Sequence, residues 1–486
     1  MIVGIRVMLG IRLSYPGPPN RCALWTDIFK IWDSHHSARE TISKYCDVRT
    51  PPPVDLQLPS DLSANTRSIK LTMPKLLSIN NYYYRRGGAE AVFFDHNRLF
   101  ENAGWDVVPF SMRHTENESS PWSGYFAKTT DGSIDGSPLQ KLARAVNTVY
   151  SRNASRRIRR LIEATRPQVA HAHNIYHHLS PSILTELRRQ GVPSVMTLHD
   201  LKLACPAYRM HTQGSVCERC KGGALRNVIA NRCIKNSLAM STYVWVESTI
   251  HRALNIYLGT VSKFVVPSRF FLTKFGEWGI DTRNFVHIPN FVDAEAMTPS
   301  PDYGDAFVYF GRLSNEKGIA TLIKAGHQAK VKVRIVGTGE EESGLRQLAA
   351  QLGAQVEFTG YLSGQALRDA IGSARAVVIP SEWYENAPLS VMEASALARP
   401  VIGADIGGIP ELIRDGETGI RFKSGSVDSL AETLTRVARM HVTGLRQMGM
   451  AGREWMRAEF SPTAYRDRMM GLYRDIGITN DIGIAN

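Results

Sequence analysis

The chain has 486 residues, 43% of them hydrophobic and 21% charged, which is typical of a soluble globular protein with two or three domains. Its net charge of +13 favours anionic partners such as a nucleotide, a nucleic acid, a phospholipid surface or an anionic glycan, without choosing among them. No apolar run approaches the roughly 18 residues of a membrane-spanning helix. Arg6 and Arg12 interrupt the apolar N-terminus, unlike a signal sequence. We therefore expect a cytoplasmic protein.

The first 72 residues differ in character from the rest. Stretches such as YPGPPN and RTPPPVDLQLPSD are rich in proline, and no period of 2 or 3.6 is sustained there. We predict a weakly ordered N-terminal extension over residues 1–72. From Met73 the pattern becomes a buried strand, a glycine turn and an amphipathic helix, which indicates the start of a folded domain.

Short apolar strands then alternate with helical segments. The strand patterns are KLLSIN, DVVPFS, QVAHAH, PSVMTLHD and KFVVPS, followed by AFVYFGRL, VKVRIVG, QVEFTG, AVVIP and PVIGAD. This alternation indicates parallel sheets covered by helices on both faces. A linker rich in Pro and Asp, predicted at 291–305, separates the two runs. The prediction is an α/β protein with two tandem Rossmann-like domains, 73–290 and 306–460, facing one another across a cleft.

Residues 380–400, PSEWYENAPLSVMEASALARP, combine a loop with a helix that we expect to begin near Pro388. Backbone N–H groups at a helix N-terminus suit a phosphate group. Because proline has no N–H, the expected donors are Asn386, Ala387 and Leu389.

Two glutamates of this stretch are expected at different positions along the helix axis. Glu385 precedes the helix, where a carboxylate beside a pyrophosphate needs neutral hydroxyl donors, such as those of a sugar. Glu393 lies roughly 7 to 8 Å farther along the axis, where it can accept from both vicinal hydroxyls of a ribose. Upstream, YFGRLSNEKG places Arg312 and Lys317 after a strand, and their charge can stabilise a departing diphosphate.

The motifs GRLSNEKG, IVGTGEEESGL, VEFTGYLS and PSEWYENAPLSVMEASALARPVIGADIGGIPELI resemble, in this order, the donor-binding half of a family 4 glycosyltransferase. Such enzymes are retaining transferases of the GT-B fold, and the likeness spans most of residues 73–470. The resemblance implies that Arg312 and Lys317 bind the donor diphosphate. Glu385 would bind the sugar and Glu393 the ribose.

The same resemblance implies further features. The base would lie at Tyr361 and Leu362, and the donor site would include Gly311 and Gly337. A helix within residues 461–486 would return to the N-terminal domain. The chain has ENAPL where the family most often has EGFGL. It is therefore similar to the subgroup with an ENxPL loop and a four-cysteine insertion, and the donor sugar stays open.

The N-terminal half offers a glycine pair before a helix. Gly87 and Gly88 precede a helix expected to begin near Ala89, so a ligand can approach the backbone without a Cβ in the way. By the resemblance, this loop lies over the donor phosphate and the acceptor. A plain tight turn is the alternative interpretation.

Histidines end two of the predicted strands. His199 in TLHD resembles the family histidine that faces the donor sugar, which completes a catalytic set with Glu385, Arg312 and Lys317; a core histidine is the alternative. His171 and His173 share one face of a strand with no Cys or carboxylate alternating around them, so the pattern does not favour a metal site there.

Four cysteines lie in a polar insertion predicted at 204–235. Cys205, Cys217, Cys220 and Cys233 give the spacing C-x11-C-x2-C-x12-C, which is compatible with a structural zinc held by four thiolates. The second close pair of a typical zinc ribbon is absent. Free buried thiols are the alternative, and disulfides are the least favoured interpretation in a cytoplasmic chain.

Residues 141–160, KLARAVNTVYSRNASRRIRR, contain seven basic residues and no acid. A basic amphipathic helix here could lie on an anionic membrane surface at the inner face of the membrane, and a solvated helix face is the alternative.

The sequence thus predicts a metal-independent hexosyltransferase that needs no catalytic cofactor, since the chain lacks a D-x-D motif. Its substrates would be a nucleotide-diphosphate sugar and a glycan or lipid-linked acceptor, in cell-surface polysaccharide or glycolipid synthesis. By family analogy, the leaving phosphate deprotonates the acceptor hydroxyl. A sugar-nucleotide epimerase or another GT-B enzyme is the alternative. A nucleic-acid-binding protein is disfavoured because aromatic platforms among the basic runs are lacking.

Overall fold

The computed structural model describes residues 73–129 and 147–478. The predicted N-terminal extension, the start of the basic segment and the last eight residues of the chain lie outside the described residues. Two parallel six-stranded sheets carry the rest of the architecture.

The first sheet has the strand order β2-β1-β3-β4-β7-β8, and all its neighbours pair in parallel. Its strands are short apolar runs, as expected where helices cover both faces. They are β1 Lys75–Ile79, β2 Asp106–Phe110, β3 Val169–Ala172, β4 Ser194–Thr197, β7 Lys263–Val266 and β8 Phe285–His287, and a separate antiparallel hairpin is formed by β5 His211–Thr212 and β6 Ser215–Val216. The helices of this half are α1 Gly88–Asn102, α2 Arg152–Thr165, α3 Ser182–Arg189, α4 Asn227–Ala230, α5 Leu238–Ala253 and α6 Arg269–Glu277.

The second sheet has the order β11-β10-β9-β12-β13-β14, again entirely parallel. Its strands are β9 Phe307–Phe310, β10 Val333–Val336, β11 Val356–Gly360, β12 Ala376–Ile379, β13 Val401–Ala404 and β14 Gly419–Phe422. Its helices are α7 Ile319–Ala329, α8 Glu342–Leu352, α9 Gly364–Gly372, α10 Leu389–Ala396, α11 Val427–Arg439 and α12 Val442–Glu459. The predicted pair of Rossmann-like domains is confirmed, with β8 and β14 as additional edge strands.

A last helix, α13 Pro462–Asp475, crosses back to the first domain, as predicted. It buries Tyr465, Met469, Leu472 and Tyr473 in one hydrophobic cluster with first-domain residues such as Leu76 and Phe100. Burial of two tyrosines and two aliphatic side chains favours docking of this helix by several kcal/mol, at about 25 cal/mol per Å² of apolar surface. The helix therefore fastens the end of the chain to the domain from which it started.

The predicted start of α10 near Pro388 is confirmed: Pro388 is the N-cap, with an extended ψ of 121°, and the helix begins at Leu389. One local expectation needs correction. The basic segment 141–160 is not one helix, because the chain breaks at Tyr150 and Ser151 and α2 starts at Arg152. The Ser151 side chain accepts a hydrogen bond from the Ala154 N–H and so caps the new helix. Within the two described stretches, no helix has both the length and the apolar composition that crossing a bilayer demands.

Candidate active site

Glycines bring three chain segments of the second domain into close contact. Gly337 has φ +136°, and a Cβ there would lie 1.9 Å from the Gly311 carbonyl oxygen, so the ends of β9 and β10 can meet only with glycine at this position. Gly318 has φ +67°, and its Cβ would lie 2.0 Å from the Pro380 carbonyl oxygen. The turn that carries Lys317 is thereby pressed against the loop after β12.

This approach pairs Lys317 with Glu385. The Lys317 ammonium donates to the Glu385 carboxylate at 2.7 Å, and the Ser381 hydroxyl donates to the same oxygen at 2.7 Å. The Lys317 ammonium also lies 5.2 Å from the centre of the Trp383 ring. Burial alone would raise the pKa of Glu385, but the charge and hydrogen bond of Lys317 outweigh it and the pKa is lowered. Glu385 is therefore an ionised carboxylate held in a buried position.

Arg312 lies on the same side of the domain. Its guanidinium donates to Glu316 at 2.8 Å, and 57% of its side chain is exposed to solvent. The pKa of the Tyr309 phenol is raised by burial first and then by Glu385, while Arg312 lowers it, which places all three groups near one another. The structure thus brings both predicted cations to the same edge as Glu385.

The start of α10 leaves backbone donors free. The amides of Asn386, Ala387 and Leu389 donate no hydrogen bond within the part of the chain that the structure describes. Gly407 and Gly408 support this loop from behind, because Cβ atoms there would lie 2.6 Å from the Glu385 backbone nitrogen and 1.7 Å from the Asn386 carbonyl oxygen, respectively. The geometry suits an anion at the helix N-terminus, beside Lys317.

The side chain of Asn386 spans the cleft. It donates to the Leu198 carbonyl at 2.9 Å and accepts from the Ser268 hydroxyl at 2.8 Å, and both partners belong to the first domain. Leu198 is the residue before His199. The asparagine of the ENAPL loop therefore ties the loop of Glu385 to the strand end that carries His199.

Glu393 lies in the middle of α10 and faces the first domain. Burial, and secondly the charge of Asp95 in α1, raise the pKa of Glu393 to about 7. Asp95 is itself paired with Arg85 at 2.9 Å. Helix α1 thus comes near α10 at Asp95. The segment predicted to meet the base is open, since Tyr361 is 74% exposed, and Leu362 packs partly on the core of the second domain.

Gly87 and Gly88 are not required by the protein fold itself. Gly87 has an extended φ of −168°, Gly88 has no positive φ, and a Cβ at Gly88 would meet nothing within 4 Å. Space for a ligand is consistent with the predicted role, which stays a prediction.

His199 ends a row of four imidazoles, of which His199, His173 and His171 are stacked and His96 meets His171 edge to face. Its Nε2 lies 3.0 Å from His173 Nδ1, and His173, His171 and His96 follow with ring centroids 4.5 to 5.2 Å apart along the row. Burial lowers the pKa of His199 to about 4 and that of His96 to about 3, so the row is neutral. Tyr473 meets His171 Nδ1 at 2.7 Å, and Tyr465 meets His96 Nδ1 at 3.0 Å. We call His199, His173, His171 and His96 the histidine row.

The histidine row is shaped for hydrogen bonding and not for a metal. Ligand atoms of His96, His171 and His173 lie within 4.8 Å of one another. However, the rings of His171 and His173 are stacked at 18°, so their in-plane lone pairs run nearly parallel and do not converge. Both nitrogens of His171 already have hydroxyl partners, from Tyr473 and Thr197.

The four cysteines are unpaired thiols, and Cys205 and Cys220 are buried. Their insertion touches the candidate active site, because Glu218 accepts a hydrogen bond from the Tyr384 hydroxyl at 2.8 Å. Tyr384 precedes Glu385.

Sequence reasoning missed several residues of this site. It gave no role to Ser381, Trp383 or the Asn386 side chain, and none to His173 as the partner of His199. Asp200 was also missed, although burial raises its pKa to about 6. The GG pair in ADIGGIPELI was a signal for close backbone packing. Nothing in the sequence indicated that Tyr465 and Tyr473 would meet histidines.

The two domains match two known families. Residues 86–296 match the family described as Glycosyltransferase Family 4, and residues 296–455 match the family described as Glycosyl transferases group 1. Among curated proteins, the alpha-maltose-1-phosphate synthase of Mycobacterium tuberculosis is 26% identical over 351 residues, which covers 64% of this chain and 80% of that protein. The alpha-D-kanosaminyltransferase of Streptomyces kanamyceticus is 29% identical over 35% of this chain and 46% of that protein.

The phosphatidyl-myo-inositol mannosyltransferase of Mycobacterium leprae is 24% identical over 49% of this chain and 64% of that protein. The chain thus spans about half the length of several curated relatives that it matches. Among solved structures, the sucrose-phosphate synthase of Thermosynechococcus elongatus aligns with a TM-score of 0.63 and 20% identity, covering 83% of this chain and 99% of that one. Anabaena HepE in complex with UDP and glucose aligns with a TM-score of 0.56 and 17% identity, covering 83% of this chain and all of that one.

These likenesses to solved structures show the fold, and the matches to sequence families agree with it domain by domain. The chain therefore has a GT-B fold whose first domain is similar to the Glycosyltransferase Family 4 model and whose second domain is similar to the Glycosyl transferases group 1 model.

Proposed function

We propose that this protein is a retaining glycosyltransferase that moves a hexosyl group from a nucleotide-diphosphate sugar to a glycan or lipid-linked acceptor. The observation that carries the proposal is the Lys317–Glu385 pair at the N-terminus of α10, beside three free amides. A diphosphate placed there would meet a cation and a helix dipole, and Glu385 would accept from sugar hydroxyls.

The rest of the donor would follow from this placement. Glu393, one and a half turns along α10, would accept from the ribose hydroxyls, and the exposed Tyr361 would stack on the base. His199 would offer its free ring nitrogen to the sugar from the first domain. No catalytic metal is invoked, since Lys317, Arg312 and the helix dipole supply positive charge. HepE, whose solved complexes hold UDP, glucose and UDP-glucose, supports a uridine donor as the first to try.

The acceptor half of the proposal rests on a relative and on an exposed basic stripe. Relatives include a phosphatidyl-myo-inositol mannosyltransferase, which favours a lipid-linked or glycolipid acceptor. Arg152, Arg156 and Arg160 form an exposed stripe on α2. We propose that this stripe contacts an anionic surface at the inner face of the membrane. Co-sedimentation with vesicles should then require anionic lipid and should fall with salt, and binding to neutral vesicles alone would contradict this.

A panel of nucleotide sugars, screened by thermal stabilisation, tests the donor proposal. The true donor should raise the melting temperature of the wild-type chain, because a ligand that binds the native state stabilises it. It should fail to do so for Lys317→Ala and should still do so for Lys324→Ala, whose side chain is exposed on α7. NMR of the product should then show the anomeric configuration of the donor. A free epimerised nucleotide sugar would instead identify the alternative, an epimerase.

A further inference from the structure

The four cysteines surround one small hairpin. Strands β5 and β6 place Cys217 directly after the hairpin, and its N–H donates to the Met210 carbonyl at 2.7 Å on the opposite arm. Cys233 returns to the same place from α4, where its thiol meets Thr212 of β5. Cys205 and Cys220 are buried in the core of the first domain, and Cys233 packs against that core. Cys217 and Cys233 thus both reach the arm of the hairpin formed by residues 210–212.

The thiols are close enough to affect one another. Burial raises the pKa of Cys220 to about 12, and Cys205, Cys233 and Cys217 each add to the rise. Burial likewise raises the pKa of Cys205 to about 11, and Cys233 contributes there too. Several thiolates could share this pocket only if a cation balanced them.

A counter-charge for such a group is already in place. The Arg252 guanidinium donates to the Leu203 and Ala204 carbonyls at 2.9 and 2.6 Å, beside Cys205. The pKa of Arg252 is lowered by burial, while the charges of Cys220 and Cys205 act to raise it. An arginine next to neutral thiols gains little, whereas beside a metal–thiolate group it would neutralise excess negative charge.

We propose that Cys205, Cys217, Cys220 and Cys233 bind one structural Zn²⁺ as a tetrahedral four-thiolate site. Four S–H groups lose their protons to solvent, four Zn–S bonds of about 2.3 Å form, and no electron is transferred. The centre carries a charge of about −2, which Arg252 partly offsets. Among described residues, only the histidine row has three ligand atoms within 4.8 Å of one another, so binding must draw the sulfurs together and order the insertion.

This site would act on the candidate active site through Glu218, which lies between Cys217 and Cys220. Glu218 accepts from both the Tyr384 hydroxyl and the Lys274 ammonium at 2.8 Å. Tyr384 packs on Phe270 with ring centroids 4.8 Å apart. The metal would therefore hold the loop that presents Glu385. This functional consequence rests on the proposed transferase activity, whereas the metal site itself does not.

Metal content of the full chain tests the site without any activity assay. Wild-type protein from zinc-supplemented medium should carry about one zinc per chain, and the same should hold for the control Cys22→Ser/Cys46→Ser, which changes the two cysteines outside the insertion. The variant Cys205→Ser/Cys217→Ser/Cys220→Ser/Cys233→Ser should carry none. Zinc well below stoichiometry in the wild type, or disulfides among these cysteines by mass spectrometry, would overturn the proposal.

Cobalt keeps the test decisive even if the four-serine variant does not fold. Co²⁺ added to zinc-depleted wild-type protein should give the absorption bands of tetrahedral thiolate coordination and should raise the melting temperature, and Zn²⁺ should abolish the bands. Absence of these bands would refute the site.

The variant Tyr384→Phe tests the link between the metal site and the candidate active site. Its zinc content should be unchanged, while its donor affinity should fall several-fold. If Tyr384→Phe has a normal zinc content and an unchanged donor affinity, the metal site would stand, but its proposed effect on the loop of Glu385 would be refuted.

Discussion

Each domain has its own six-stranded parallel sheet, but the side chains at the two sheet edges differ in charge. In the second domain, the ionised Glu385 carboxylate is paired with Lys317 at 2.7 Å. In the first, burial keeps His96, His171, His173 and His199 neutral, and tyrosine and threonine hydroxyls satisfy several of their nitrogens. A phosphate site needs fixed charge, whereas a surface that meets sugar hydroxyls needs oriented neutral donors and acceptors. The carboxyl edge of a parallel sheet can therefore carry either fixed charges or neutral hydrogen-bonding groups, depending on which side chains pack around it.

The charged groups of the second domain should be more sensitive to mutation than the histidine row. Lys317→Ala removes the cation proposed to meet the diphosphate and leaves Glu385 buried without its partner. We expect kcat/KM to fall by about 100- to 1,000-fold. Steady-state kinetics with the donor identified by thermal stabilisation measures this. Lys324→Ala serves as the exposed control, and a loss of less than about threefold for Lys317→Ala would contradict the proposed role.

Mutations in the neutral histidine row should have smaller effects, and these should appear in kcat and not in nucleotide affinity. His173→Phe keeps an aromatic ring in the row but removes the nitrogen that faces His199 Nε2. An unpaired buried polar group costs about 1–3 kcal/mol, so kcat should fall by about 10- to 100-fold. Nucleotide affinity, measured by calorimetry with the free diphosphate, should stay constant.

His173→Asn is the matched variant for this test. Its side-chain amide can stand near the position of Nδ1 and should restore part of the activity. Equal losses for His173→Phe and His173→Asn, accompanied by weaker nucleotide binding, would indicate a general packing defect and not a positioning role.

The far end of the histidine row should affect stability more than catalysis. Tyr473→Phe removes the hydroxyl 2.7 Å from His171 Nδ1 in a fully buried site. The free energy of unfolding should fall by about 1–3 kcal/mol, as read from urea titration. Tyr465→Phe loses a longer bond of 3.0 Å to His96 and should cost less. A larger cost for Tyr465 would show that α13 is fastened mainly through His96.

The same contrast explains what the sequence could predict. Lys317, Glu385 and Glu393 lie in short contiguous motifs whose local geometry is set by strand ends, glycines and a helix N-terminus, so their placement at one edge followed from the pattern. Hydrogen bonds between the histidine row and α13 join residues up to 377 positions apart, such as His96 and Tyr473, and depend on the packing of α13 on the first sheet. No local period encodes that docking. The Asn386 contacts were equally hidden, because they depend on how the two domains meet across the cleft.

The smallest expected effect concerns Glu393, where the two sides of the cleft meet through Asp95. Burial and the Asp95 charge raise the pKa of Glu393 to about 7, above its ordinary value of 4.5. The neutral form therefore stabilises the fold fully below about pH 4.5, and this stabilisation is lost as the pH rises through about 7. Glu393→Gln, which cannot ionise, should melt higher than the wild type at about pH 8 and equally at about pH 4.5.

Donor binding should show the opposite trend at Glu393, because an ionised carboxylate accepts more strongly from ribose hydroxyls. Wild-type affinity for the nucleotide should rise between about pH 6 and pH 8, while Glu393→Gln should bind about tenfold more weakly at pH 8 and show no such rise. Calorimetry at the two pH values measures both. A pH-dependent rise that persists in Glu393→Gln would assign it to another group, such as Asp200, whose pKa of about 6 lies in the same range. Asp200→Asn would then have to abolish it.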